Sequence, residues 1–181
     1  FEVSKDMFSI SNPHGYFTQV NPRWTQVTGY SEQELTSRPL LDFVHPDDKN
    51  RTNKEREDLF TVKSNSIRFE NRYITKTGET IWLEWNSTTL EESGKNYSVA
   101  RDITSFKERE LYQQKITSSL YHLSAYKYSD INDIDTFIFL ILEEVAKTLE
   151  LDRLSFWAYD EKRTKITCTH LIEEESIKSQ P

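Results

Sequence analysis

Val99-Ala100-Arg101-Asp102-Ile103-Thr104-Ser105-Phe106-Lys107-Glu108-Arg109-Glu110 is the stretch where the chain changes its period. Before it, short alternating runs are broken by Gly and Pro, as in strands; after it the pattern is helical, and no glycine follows Gly94. Thr104 or Ser105 is placed to cap the helix. Ser105 and Glu108 have the spacing of a capping box, in which each side chain satisfies the other's orphan backbone N–H. A strand feeding straight into a helix is a rigid lever, and Asp102, Ile103 and Thr104 sit at its fulcrum.

The 181 residues suffice for one domain and part of another. The formal charge of −7 is spread over both parts of the chain. Without a basic patch to meet a phosphate backbone, nucleic acid is not an expected partner. One cysteine, Cys168, excludes an internal disulfide and fits a reducing, cytoplasmic setting. The longest apolar run, Phe137–Leu142, is too short to span a bilayer. The chain opens without Met, in mid-pattern, as a fragment would.

Working back from the junction, Met7–Ser11 and Tyr16–Val20 read as strands joined by the turn Asn12-Pro13-His14-Gly15. Asn21-Pro22 starts a helix that stops at Gly29. Ser31-Glu32-Gln33-Glu34 is another capping box, and Pro39–Val44 is an apolar turn of helix. Asp47 and Asp48 place negative charge at the N-terminus of a helix reaching about Phe60. From Ser66 the period becomes two: Ile67, Phe69, Asn71 and Tyr73 on one face, Arg68, Glu70 and Arg72 on the other. Thr80–Leu90 is a strand bulky on both faces, and Tyr97–Ile103 is its return. The order implies an α+β fold, a five-stranded antiparallel sheet with short helices on one face.

Asn21-Pro22-x-Trp24-x4-Gly29-Tyr30-Ser31-x2-Glu34-Leu35, His45-Pro46-Asp47-Asp48, Lys76-Thr77-Gly78-Glu79, Trp82-Leu83-Glu84-Trp85 and Ala100-Arg101-Asp102-Ile103-Thr104 together resemble a PAS domain with its PAC segment, over residues 1–106. The resemblance implies a sensory and dimerisation module of the kind found upstream of histidine kinases and diguanylate cyclases.

Residues 107–130 read as a helical linker with an apolar stripe at Tyr112, Ile116, Leu120 and Leu123, which fits a parallel two-helix seam. A polar break at Tyr128–Asp133 precedes an apolar helix to about Leu149. Arg153–Tyr159 and Lys165–Ile172 alternate as strands around a turn at 160–164. Residues 131–181 resemble the first part of a GAF domain.

No arrangement for catalysis or metal binding stands out. His14, His45, His122 and His170 lie far apart, and His122 lacks the Glu/Asp and Arg-Pro that accompany a kinase phosphoacceptor. The adjacent carboxylates Asp47-Asp48 and Glu173-Glu174-Glu175 read as solvated ends. Flavin-binding photoreceptor relatives need a Cys where this chain has Thr36-Ser37-Arg38-Pro39-Leu40; haem-binding relatives use a His that Asp48–Phe60 lacks. Cys168-Thr169-His170 falls too early in a GAF domain for bilin attachment. No cofactor is therefore expected, although a non-covalent small ligand stays open. Trp24, Phe43, Phe69 and Trp82 are the candidate pocket-lining residues, expected to fill the space between sheet and helices.

The expectation is a non-catalytic, cytoplasmic, homodimeric signalling segment that dimerises through the linker helix and the PAS part. Asp102, Ile103 and Thr104 would relay its signal to the output domain of a sensor histidine kinase. The alternatives are the regulatory region of a diguanylate cyclase and a ligand-free interaction scaffold.

Overall fold

The computed structural model describes residues 4–61, 66–90, 94–125 and 133–173. Strand β1 (Met7–Ser11) and strand β2 (Phe17–Val20) form the opening hairpin. Helix α1 (Pro22–Thr28) ends on Gly29, whose φ of 76° is the left-handed conformation that costs a residue with a Cβ. Asn21 stands at the cap position, but its side chain makes no cap bond. Instead Asn21 Oδ1 accepts from Phe8 N–H at 3.0 Å and its Nδ2 donates to Asp6 O at 3.1 Å. The residue thus pins α1 to β1.

Helix α2 (Glu32–Ser37) starts with the expected capping box between Ser31 and Glu34. Single 3₁₀ turns at Leu40–Asp42 and Pro46–Asp48 lead into helix α3 (Lys49–Thr61). Strands β3 (Ser66–Ile74), β4 (Thr80–Leu90) and β5 (Lys95–Asp102) complete an antiparallel sheet in the order β2-β1-β5-β4-β3. A bulge in β3 puts Arg68 at a φ of 59°. The last strand, β5, lies in the middle of the sheet and leads directly into helix α4 (Thr104–Ala125).

Trp24, fully buried, is the centre of the core. Its ring lies 5.1 Å from Phe17, 5.5 Å from Trp85 and 5.9 Å from Tyr73, all tilted. Leu35, Phe43, Val44, Leu83 and Ala100 close around them. Each fully buried large apolar side chain contributes about 1.5–3 kcal/mol relative to exposure.

The two outer strands are tied to the helical segment. Tyr16 on the β2 side bridges Pro39, and Leu40 N donates to Gly15 O at 2.8 Å. On the β3 side Val44 bridges Tyr73, while His45 N donates to Arg72 O and Ile74 N to Phe43 O.

The chain divides into two compact units, Phe1–Glu108 and Arg109–Pro181. In the second, helix α5 (Ile134–Thr148) is capped by Asp133, which accepts from Thr136 N at 2.8 Å. The remainder of the polar break expected before it lies outside the described residues. Strands β6 (Arg153–Tyr159) and β7 (Ile166–Glu173) form an antiparallel hairpin. Leu142 and Ala146 of α5 pack on Ile172, with Ile138 and Leu154 beside them. Lys115 of α4 pairs with Glu150 at 2.5 Å, and Ser119 bonds Thr148.

Candidate functional site

Between the sheet and α3 lies a cavity of about 60 Å³. Alternation along β4 brings Trp85 and Ser87 to it; β5 supplies Asn96 and Ser98, β3 supplies Phe69 and Asn71, and α3 supplies Thr52. Much of the lining is hydrogen-bonded to itself. Trp85 Nε1 donates to Asn71 Oδ1 at 2.7 Å, and Asn71 Nδ2 donates to Thr52 Oγ1 at 3.0 Å. Ser87 and Ser98 share a bond of 2.8 Å, and Asn96 Nδ2 donates to Ser98 Oγ at 2.9 Å. The buried Asn96 Oδ1 has no partner.

Of the four aromatics expected to line the pocket, Phe69 does so. Trp24 and Phe43 belong to the core beside it and are outside the lining. Trp82 is a correction: it alternates with the core residues Ile81 and Leu83, so its ring stands on the opposite face of the sheet, and Trp85 takes the inner position. β4 is bulky on both faces, so period alone does not say which tryptophan points inward. The polar lining had a signal in the sequence, namely Asn71 in an otherwise apolar stripe.

The outer face of Trp82 is occupied. Arg72, its direct cross-strand partner, lies over the ring at 5.5 Å, and Lys107 of α4 lies over it at 5.6 Å. Lys107 also pairs with Glu70 at 2.8 Å. Arg72 reaches from Trp82 to the start of α3: Asp48 accepts from its backbone N at 2.8 Å, from Nε at 3.0 Å and from Nη2 at 2.9 Å. Those bonds from Arg72 hold the Asp48 carboxyl below the usual carboxylate range and raise the guanidinium. Asp48 is therefore a buried ion-pair partner, not the solvated helix end expected for it; Asp47 stays exposed. Burial pushes the Tyr73 phenol well above its ordinary value.

Trp82 also contributes its backbone to the junction. Ile103 N donates to Trp82 O at 2.9 Å, and Trp82 N donates to Thr104 Oγ1 at 2.9 Å. Asp102 Oδ1 accepts from Thr104 N at 2.9 Å and from Thr104 Oγ1 at 2.6 Å. The helix begins at Thr104, so Ser105 lies within its first turn and Asp102, not Ser105, takes the capping part. Arg101 points away and pairs with Asp6 at 3.1 Å.

Among the described residues, no three His, Cys, Asp or Glu side chains converge as metal ligands would. His45 Nδ1 accepts from Asp47 N, and Cys168 Sγ donates to His170 O. No described helix is long and apolar enough to cross a membrane.

A family described as PAS fold matches residues 17–100. The PAS domain of an HTR-like protein from Haloarcula marismortui superposes with a TM-score of 0.50 and 27% identity, covering 57% of this chain and 90% of that one. A sensory box histidine kinase/response regulator from Burkholderia thailandensis gives 0.53 and 20%, covering 65% and 90%. Among curated proteins, a probable diguanylate cyclase of Escherichia coli, DgcE, is 27% identical over 81 residues, 45% of this chain and 7% of that protein. The first unit of this chain is a PAS domain, a sensory module that is generally non-catalytic. The match spans under a tenth of DgcE's own length.

Proposed function

We propose that the chain is the sensory and signal-transducing region of a larger multidomain protein, a cytoplasmic sensor histidine kinase, and that it works as a homodimer. The observation that carries this is the double tie between Trp82 and the 103–104 junction, which makes the start of α4 an extension of the sheet. A change in the core that moves β4 then moves α4 without a slack joint between them. A few kcal/mol of differential stabilisation between two arrangements suffices to switch an output. The exposed Tyr112 and Leu120 on α4 fit a helix that pairs with its copy. Residues 131–181 supply the helix and hairpin with which a GAF domain would begin, and the PAS core holds neither a flavin-attaching Cys nor a haem-ligating His on α3.

The similarity to DgcE favours a second reading, in which the output is a diguanylate cyclase.

The test is Asp102→Ala in the full-length parent. The variant loses two bonds to Thr104 at an exposed cap, so the PAS unit should lose only about 1–2 kcal/mol. The output should stop responding to the stimulus. A parent carrying Asp102→Ala that switches normally would remove the junction from the mechanism.

A further inference from the structure

We propose that the apolar stripe of α4 has two mutually exclusive partners, helix α5 of its own chain and α4 of a second copy, so that pairing of the copies waits on release of α4 from α5. This rests on the reading above that the chain works as a homodimer through α4, and it adds the step that controls the pairing.

Tyr112, Ile116, Leu120 and Leu123 share one side of α4, where a two-helix seam would form. From Glu108 to Ser124 the half-buried residues of α4 are Ile116, Ser119 and Leu123, spaced as one side of a helix, and the others are exposed. Tyr112 and Leu120 flank them and stay 48% and 62% exposed. Part of the seam is thus already covered within a single chain.

Helix α5 lies on that side. Ser119 Oγ is bonded to Thr148 Oγ1, and Thr148 gives its own hydroxyl proton to Glu144 O at 2.7 Å, so Ser119 is the donor. Glu144, Ile141 and Phe137 share the Thr148 side of α5 and are all half-buried. Leu142 and Ala146 occupy a different side and serve the hairpin. One turn earlier on α4, Lys115 Nζ pairs with Glu150 at 2.5 Å.

Glu150 shows that this latch is built in. It follows the last turn of α5 at a φ of 53°, the left-handed conformation that glycine adopts without steric cost. Leu151 N donates to Ala146 O at 2.9 Å and closes the cap. Glycine would suit the backbone better, but only a long acidic side chain reaches Lys115. The bond from Lys115 holds the Glu150 carboxyl below its ordinary value.

A second copy laid on Ile116 and Leu123 needs the side of α4 that Ser119 gives to Thr148, so one contact replaces the other. Both chains of a dimer must open. An exposed ion pair that shifts one opening by a factor of about two to five therefore shifts dimer formation by its square, about four- to twenty-five-fold.

The experiment measures the dimer dissociation constant of the 181-residue chain by sedimentation equilibrium. Glu150 lies outside the seam, so Glu150→Lys, which sets two cations against each other, should tighten the dimer about fourfold or more. Adding Lys115→Glu to the same chain restores the attraction and should return the constant to within about twofold of the native value. Leu120→Asp, at an exposed position on the stripe, should abolish association in the native and Glu150→Lys backgrounds alike. Unchanged circular dichroism in each variant guards against a folding defect. A dimer that Glu150→Lys leaves unchanged or weakens overturns the latch while the homodimer reading stands. So does a charge-exchanged chain that associates as tightly as Glu150→Lys alone, or a Glu150→Lys dimer that survives Leu120→Asp. A Glu150→Lys chain that stays monomeric at millimolar concentration overturns both the latch and the homodimer reading.

Discussion

Replacing Asp48 by asparagine keeps the shape of the side chain but removes its charge and turns one oxygen into a donor. In the native protein the carboxylate accepts three bonds from Arg72, at 2.8, 3.0 and 2.9 Å, and is 9% exposed. Breaking one partner of a fully buried ion pair costs about 3–5 kcal/mol. Arg72 is 26% exposed, so water takes up part of the lost interaction, and the expected cost falls to about 2–3 kcal/mol. For a unit of this size that lowers the thermal midpoint by roughly 10–20 °C. The assay is urea unfolding of the whole chain followed at the indole N–H resonances of Trp24 and Trp85, which report the first unit. Trp157 reports the second unit separately and should not move. Asp47→Asn is the control: its carboxylate is 69% exposed, and the change should stay within about 0.5 kcal/mol. If Asp48→Asn costs no more than Asp47→Asn, the reading of Asp48 as a buried partner of Arg72 is wrong.

Trp82→Leu removes the platform shared by Arg72 and Lys107 but keeps the backbone bonds to Ile103 and Thr104; it should loosen the first turn of α4 by about 1–2 kcal/mol, seen as roughly five- to thirty-fold faster amide exchange at Phe106 and Lys107. The pH dependence follows from Glu34, whose carboxyl is lowered from 4.5 to about 2, first by its bond from Lys76 and then by the Ser31 backbone N–H. A depressed folded-state value means the stabilisation is fully present above 4.5 and is lost as the pH falls toward 2. The thermal midpoint of the first unit should therefore drop across that window, and Lys76→Gln should flatten the drop.

Local chemistry made most of the fold legible. Pro22 and Gly29 bound α1, Ser31 and Glu34 open α2, and the turn residues marked five antiparallel strands, while the pairing of β1 with β5 had no signal in the spacing. What escaped was set by distant partners. Asn21 looked like a helix cap because of Pro22, yet its side chain serves β1, thirteen residues earlier. Asp48 looked like a dipole-matched helix start because its partner, Arg72, lies 24 residues on. Trp82 and Trp85 are three apart on one strand and so face opposite ways, but only packing against Trp24 decides which faces in. The cavity was hidden for the same reason: its polar wall is assembled from β3, β4, β5 and α3, whose residues show no shared pattern when each element is read alone.

The ties from Pro39 to Tyr16 and from Val44 to Tyr73 have a consequence for assembly. They fall on the two outer strands of the sheet, where unpaired backbone groups would otherwise invite a strand from another molecule. Both come from one stretch only five residues further along at its second end, so the helical segment works as a clasp across the open rims. A foreign strand adding to either rim would have to undo a bridge that is fastened to the core through Phe43 and Val44. Edge-to-edge pairing along the full length of either rim is thereby hindered at the end that the clasp covers.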